Sequence, residues 1–94
     1  MRVNFYATLR QIVGSKTVEL PMPAGSTARD LIDALIARYP ALREQLLDEH
    51  GQLFQHVHLF INGRDVEYLD GGLQTSLSPT DTVNIFPPVG GGSV

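Results

Sequence analysis

Between Ala28 and Tyr39 the chain repeats apolar residues at helical spacing, with Ala28, Leu31, Ile32, Leu35, Ile36 and Tyr39 on one stripe. One main helix of about three turns cannot bury that stripe by itself, so it needs a sheet to lie on. Its limits are legible too. Thr27 followed three positions later by Asp30 has the pattern of a capping box, and Arg38 in the last turn complements the helix dipole. Pro40 stops the helix, because the residue before a proline is pushed out of the α region. A shorter helical segment is expected from Ala41 to Leu47.

The flanking sequence alternates, as strands with one buried face do. From Arg2 to Thr8, Val3, Phe5 and Ala7 alternate with Arg2, Asn4 and Tyr6, which turns Tyr6 away from the core. Leu9 to Ser15, containing Gly14, reads as a connecting turn into a second strand, Thr17-Val18-Glu19-Leu20, ended by Pro21, Pro23 and Gly25. From His56 to Ile61, Val57, Leu59 and Ile61 share one face, and His56, His58 and Phe60 the other. Asn62-Gly63 is a hairpin signal leading to a short strand expected at Val66 to Leu69, and Asp70-Gly71-Gly72 is a further turn. Leu73 and Leu77 are expected to plug the core, and Thr82 to Phe86 forms the last strand with Val83 and Ile85 inward. Strand, strand, helix, strand, strand, strand is the order of an α+β, ubiquitin-like β-grasp: a mixed five-stranded sheet with one main helix packed on one face. In that topology the first and last strands lie side by side at the centre and the third neighbours the last. Tyr6, Phe60 and Phe86 then share the helix-free face.

Several functional classes drop out at this point. A chain of 94 residues has room for one domain, here residues 1–86, followed by a flexible tail at 87–94. The formal charge is −3 and the seven basic residues are scattered, which argues against nucleic acid as a partner. No apolar run approaches the ~20 residues of a membrane span, and Met1-Arg2-Val3 runs straight into strand-like sequence without a leader, so a cytoplasmic location is expected. The absence of cysteine excludes disulfides, thiolate metal sites and a cysteine nucleophile. His56 and His58 share a face but have no third ligand at useful spacing, and Asp48 and Glu49 read as solvated loop charges rather than an acid/base pair. Lys16 is the only lysine. By default it is an exposed strand charge, and with the N-terminus it is the only amine that could accept a link to another copy.

The tail Pro87-Pro88-Val89-Gly90-Gly91-Gly92-Ser93-Val94 has its own logic. Two prolines cannot donate to a β-ladder, so the strand must end at Phe86 and the chain leaves it stiff and extended. The glycines then form a thread without Cβ atoms, open to close approach from any side, as a peptide entering another protein's narrow channel must be. A glycine-rich terminus can equally be a plain disordered end, and Tyr6, Phe60 and Phe86 can be single surface hydrophobics instead of a partner patch.

Val3-Asn4-Phe5-Tyr6-Ala7-Thr8-Leu9-Arg10, Asn62-Gly63 with Asp70-Gly71-Gly72-Leu73, and Val83-Asn84-Ile85-Phe86-Pro87-Pro88-Val89 before glycines resemble the ThiS/MoaD family of ubiquitin-like sulfur carriers. The likeness runs from Met1 to Gly92. It is most similar from His58 to Gly92 to the carriers of cysteine biosynthesis and to small archaeal modifiers. The resemblance implies a non-catalytic protein that binds no cofactor itself. Its Gly91-Gly92 end would be adenylated with ATP by an enzyme of the ubiquitin-activating type, converted to a thiocarboxylate, and used by a sulfur-accepting biosynthetic enzyme. Cysteine is the first pathway implied, then molybdopterin, thiamine or tRNA thiolation; the alternative is a modifier conjugated to lysines through the same tail. Ser93-Val94 departs from members that end at the diglycine. Cleavage between Gly92 and Ser93 by a JAB/MPN-type zinc protease is therefore expected. Tyr6, Phe86, Pro87 and Pro88 match motif positions near the family's docking surface, Phe60 joins them by strand parity, and a monomer is expected.

Overall fold

The computed structural model describes residues 1–87. Of the tail, only Pro87 is among them. Pro88, the Gly91-Gly92 end and the Gly92-Ser93 processing site lie outside the described residues. Strands β1 (Arg2–Phe5), β2 (Thr17–Glu19), β3 (His58–Ile61), β4 (Arg64–Asp65) and β5 (Thr82–Phe86) form one mixed sheet in the order β2-β1-β5-β3-β4. β1 and β5 pair in parallel, Val3 beside Val83 and Phe5 beside Ile85, while the other pairings are antiparallel. A parallel pair needs a long crossover, and nearly the whole chain supplies it.

The inward residues Val3, Phe5, Leu59, Val83 and Ile85 are fully buried, as are Ala28, Leu31, Ile32 and Leu35 of the main helix, residues Ala28–Arg38. The expected capping box is formed. Thr27 Oγ1 accepts from Asp30 N at 3.1 Å, and Asp30 Oδ2 accepts from Thr27 N at 2.9 Å. A short helix, Leu42–Leu46, follows and buries Leu42 and Leu46. Leu77 is buried, and its segment is tied to the start of the main helix by Leu77 N to Ser26 O at 2.7 Å and Ala28 N to Thr75 O at 3.0 Å. Leu73 packs on the core as a partly buried residue.

Several local readings differ from the structure. β1 ends at Phe5, so Ala7 is exposed after the strand instead of inward on it, and β3 begins at His58 and not at His56. The connection after β1 is a helix, Thr8–Val13, not a plain turn; we number it α1, the main helix α2 and Leu42–Leu46 α3. Leu9, Ile12 and Val13 are spaced i, i+3, i+4 and face the core, and the left-handed Gly14 (φ 84°) closes the end by donating to Arg10 O at 2.8 Å. The fourth strand is Arg64–Asp65, directly after the Asn62-Gly63 turn, whose φ values of 52° and 85° suit a type I′ loop. Val66 to Tyr68 is a 3₁₀ turn instead of a strand, because Asp65 Oδ1 accepts from Glu67 N at 2.9 Å and redirects the backbone while Val66 goes inward. Lys16 lies in the bend before β2 and not in a strand.

Ala7, between β1 and α1, has φ 54° and ψ −129°, a region that suits glycine. Holding an alanine there costs about 1–3 kcal/mol, against about 0.5–1 kcal/mol for glycine's greater freedom in the unfolded chain. Ala7→Gly is expected to stabilise the domain by about 1 kcal/mol in urea unfolding. A lowered midpoint would mean that this junction holds no strain.

Candidate functional site: an aromatic face at the root of the tail

The outward residues of the central strands form a graded surface. Tyr6 follows β1, Phe86 ends β5, and Phe60 and His58 belong to β3, with His58 in register opposite Phe86. The Tyr6 and Phe86 rings stack at 4.2 Å between centroids and 13° between planes. Phe60 meets Phe86 edge-on at 5.5 Å and 86°. The structure thus brings Tyr6, Phe60 and Phe86 into one row with Phe86 in the middle, each ring half-buried by its neighbours. Such pairs contribute about 0.5–1.5 kcal/mol each beyond their buried area.

Beside this row the surface becomes polar. Asn84 Oδ1 accepts from Tyr6 Oη at 3.1 Å and from Asn4 Nδ2 at 2.9 Å, and Asn4 Oδ1 accepts from Thr17 Oγ1 at 2.7 Å. This ladder orients the Tyr6 ring, because its hydroxyl is anchored at one end while its plane lies on Phe86. On the other flank, His58 Nδ1 is 3.1 Å from Asp65 Oδ2, and the Asp65 side chain is 12% exposed. An open apolar hollow is lined by His58, Phe60, Asp65, Phe86 and Pro87. Pro87 is buried there and serves as a wall of the hollow rather than a protruding contact.

The sequence reading did not pair His58 with Asp65. The signal was available in the Asn62-Gly63 turn, since a two-residue loop puts Asp65 opposite Phe60 and diagonal to His58. His56 is exposed and precedes β3, so the two histidines do not share a strand. No group of three metal-ligating side chains occurs among the described residues. No helix among them is long and apolar enough to cross a membrane.

Asp48 organises its loop. Its Oδ1 accepts from Gln52 N at 3.0 Å and His50 N at 2.8 Å, and chiefly the Gln52 N–H, then that of His50, hold the carboxyl below the ordinary range. A depressed folded-state value makes its stabilisation present at neutral pH and lost as pH falls through that value. The amide resonances of Gln52 and His50 should therefore move together in an NMR acid titration, with a midpoint below the ordinary aspartate value of about 3.9. A midpoint at or above it would overturn this account. Phe54, 36% exposed, lines one hollow with Arg43, Leu47 and Glu49 that shares no residue with the aromatic face, and a second with Val57 and Val66 that shares only Asp65 with the aromatic hollow.

A model of the ThiS family matches residues 3–92. Small archaeal modifier protein 3 of Haloferax volcanii is 37% identical over 92 residues, 98% of either chain. The sulfur carrier protein CysO of Mycobacterium tuberculosis is 36% identical over 81 residues, 84% of this chain and 83% of that protein. The crystal structure of small archaeal modifier protein 1 from Haloferax volcanii superposes with a TM-score of 0.84 at 29% identity, covering 95% of this chain and 94% of the other.

Proposed function

This chain belongs to the ThiS family, and from that membership we propose that it is a sulfur carrier whose Gly92 carboxylate is the working group. The family consists of small carrier and ubiquitin-like proteins, so the chain is acted on by enzymes and is not one. In the proposed cycle, a JAB/MPN-type protease first removes Ser93-Val94. A ubiquitin-activating-type enzyme then holds the domain by its aromatic face and draws the glycines into its own ATP site. The carboxylate oxygen attacks the α-phosphorus of ATP, pyrophosphate leaves, and the carboxylate becomes a mixed anhydride. A sulfide nucleophile then attacks the carbonyl carbon and expels AMP, leaving a thiocarboxylate. Glycine offers this attack the least steric resistance. A biosynthetic enzyme takes the sulfur, with cysteine synthesis as the first candidate.

One observation carries the reading. Phe86, the last side chain before the prolines, is clasped between Tyr6 and Phe60, so the tail starts from the centre of the aromatic row. A partner that binds the row therefore also aligns the tail. The likeness to small archaeal modifier protein 3 favours a second use of the same activated end, attack by a target lysine to give an isopeptide bond.

Intact-mass spectrometry tests the first reading. A form of the chain ending at Gly92, given an adenylating enzyme, ATP and sulfide, should gain one sulfur-for-oxygen exchange, and the chain ending at Val94 should not. No change in either, with an enzyme that converts another carrier in parallel, would sink it.

A further inference from the structure

Asp65 is the one carboxylate lining the hollow beside the aromatic row, and it has no cationic side chain as counter-ion. Its side chain is 12% exposed; Oδ1 accepts from Glu67 N at 2.9 Å, and Oδ2 lies 3.1 Å from His58 Nδ1. Among the described residues no arginine or lysine pairs with it. The other walls, besides His58, are the apolar side chains of Phe60, Phe86 and Pro87. Phe60 and Phe86 also belong to the row, so a protein that covers the row seals the hollow. Sealing takes the remaining water from the carboxylate. A neutral imidazole satisfies one of its oxygens without neutralising the charge, and a buried carboxylate without a counter-charge opposes docking. An apolar side chain filling the hollow would leave that cost in place. A side chain with an apolar stem and a cationic head removes it.

We infer that this hollow is a pocket for an arginine side chain of the activating enzyme, with Asp65 as its counter-ion. This rests on the reading that the enzyme docks on the aromatic row. The stem of the arginine lies along Phe60, Phe86 and Pro87, and its head meets the Asp65 carboxylate beside His58. Arginine suits the pocket better than lysine, because a planar, weakly hydrated guanidinium can lie against an aromatic ring while it donates to a carboxylate. An anionic group is excluded by Asp65 itself and by the exposed Glu67 two residues on. The Asn62-Gly63 turn sets Asp65 opposite Phe60, and the bond from Glu67 N holds Oδ1, which leaves Oδ2 on the His58 side where the hollow is. The pocket gives an otherwise apolar face a charge requirement: a protein with an apolar patch and no cation beside it is rejected.

Two measurements test the pocket, one of them without any enzyme. Butylguanidinium, titrated in the millimolar range into the chain ending at Val94, should shift the ring resonances of His58, Phe60 and Phe86 saturably in NMR spectra. Butylammonium should shift them less at equal concentration, and Asp65→Asn, which keeps an acceptor for Glu67 N, should abolish the effect. In ATP–pyrophosphate exchange with the form ending at Gly92, Asp65→Asn should raise KM at least about tenfold and leave kcat within about twofold, because the enzyme's arginine is then buried without its counter-ion. Glu67→Gln, which removes a charge from the same turn but outside the hollow, should leave both within about twofold. Rings that do not shift, or that shift as much in Asp65→Asn, would overturn the pocket. An unchanged KM in Asp65→Asn would overturn its use by the activating enzyme, and equal KM changes in the two variants would reduce the effect to net charge and overturn the role of Asp65. A KM that rises with pH through the histidine range, and no longer does so in His58→Gln, would mean that His58 takes up a proton on docking in place of an arginine, which overturns the occupant. Absence of exchange by the unaltered form would overturn the activation reading and the assignment of the pocket to that enzyme, while the titration decides the pocket itself.

Discussion

Phe86→Ala is expected to lower the kcat/KM for adenylation at Gly92 by about 30-fold or more, the effect of losing a central interface anchor worth about 2 kcal/mol. Phe86 touches Tyr6 on one side and Phe60 on the other, so its loss removes both the anchor and the support that orients its neighbours. The accompanying loss of stability should be smaller, about 1–2 kcal/mol, because the ring is half-buried and packs only on the outer face. The measurement is ATP–pyrophosphate exchange on the form ending at Gly92, at a temperature where circular dichroism shows the variant folded. Phe54→Ala is the comparison, an exposed aromatic that touches none of the three rings of the row, and should leave exchange unchanged. Equal losses in the two variants would mean that the aromatic row has no special part in activation.

Ile85→Ala, one residue earlier, should do the opposite. Ile85 is fully buried, paired with Phe5 on β1 and Leu59 on β3, at the centre of the sheet. Truncating such a side chain removes buried apolar surface and leaves a cavity, at a cost of about 2–5 kcal/mol. In a domain this small that is roughly 10–30 °C in the unfolding midpoint, seen by calorimetry. Its side chain faces the core, so the fraction still folded should be adenylated at close to the normal rate. A midpoint lowered by less than about 5 °C would show that the core relaxes around the gap. The pair of variants separates the two faces of one strand: stability on the inner side, handling by partners on the outer.

Much of this was readable from residues close together in the chain. The α2 helix carries its cap, its stripe and its stop within 14 residues, from Thr27 to Pro40, and all three hold in the structure. Alternation identified Val3, Phe5, Leu59, Ile61, Val83 and Ile85 as inward but wrongly added Ala7, which is exposed because β1 has already ended at Phe5, and Leu77 entered the core as expected. The misread elements were those too short to announce themselves. α1 has fewer than two turns, and so short a helix is stable only because Leu9 is fully buried against the rest of the fold. β4 has two residues, too few for alternation to show, and its end is decided by the carboxylate of Asp65. Lys16 looked like part of a strand because Thr17 and Val18 follow it, but Gly14 still governs the bend.

From the sequence came the longer elements, α2 and the strands β1, β3 and β5, with their inward faces, because hydrophobic period, turn chemistry and proline stops act over a few residues. It also determined that the last strand ends at Phe86, since no proline can extend a ladder. The tertiary structure alone decided what lies side by side. Asn4 and Asn84 are 80 positions apart, and nothing local sets their register. Packing α2 against one face of the mixed sheet does, and it aligns β1 with β5 so that Tyr6 stacks on Phe86 beneath the Lys16 amine. It likewise sank Pro87 into the wall of a hollow and set His58 against Asp65. Those juxtapositions exist only when the apolar faces of distant segments are buried together, because the free energy that fixes them comes from that shared core.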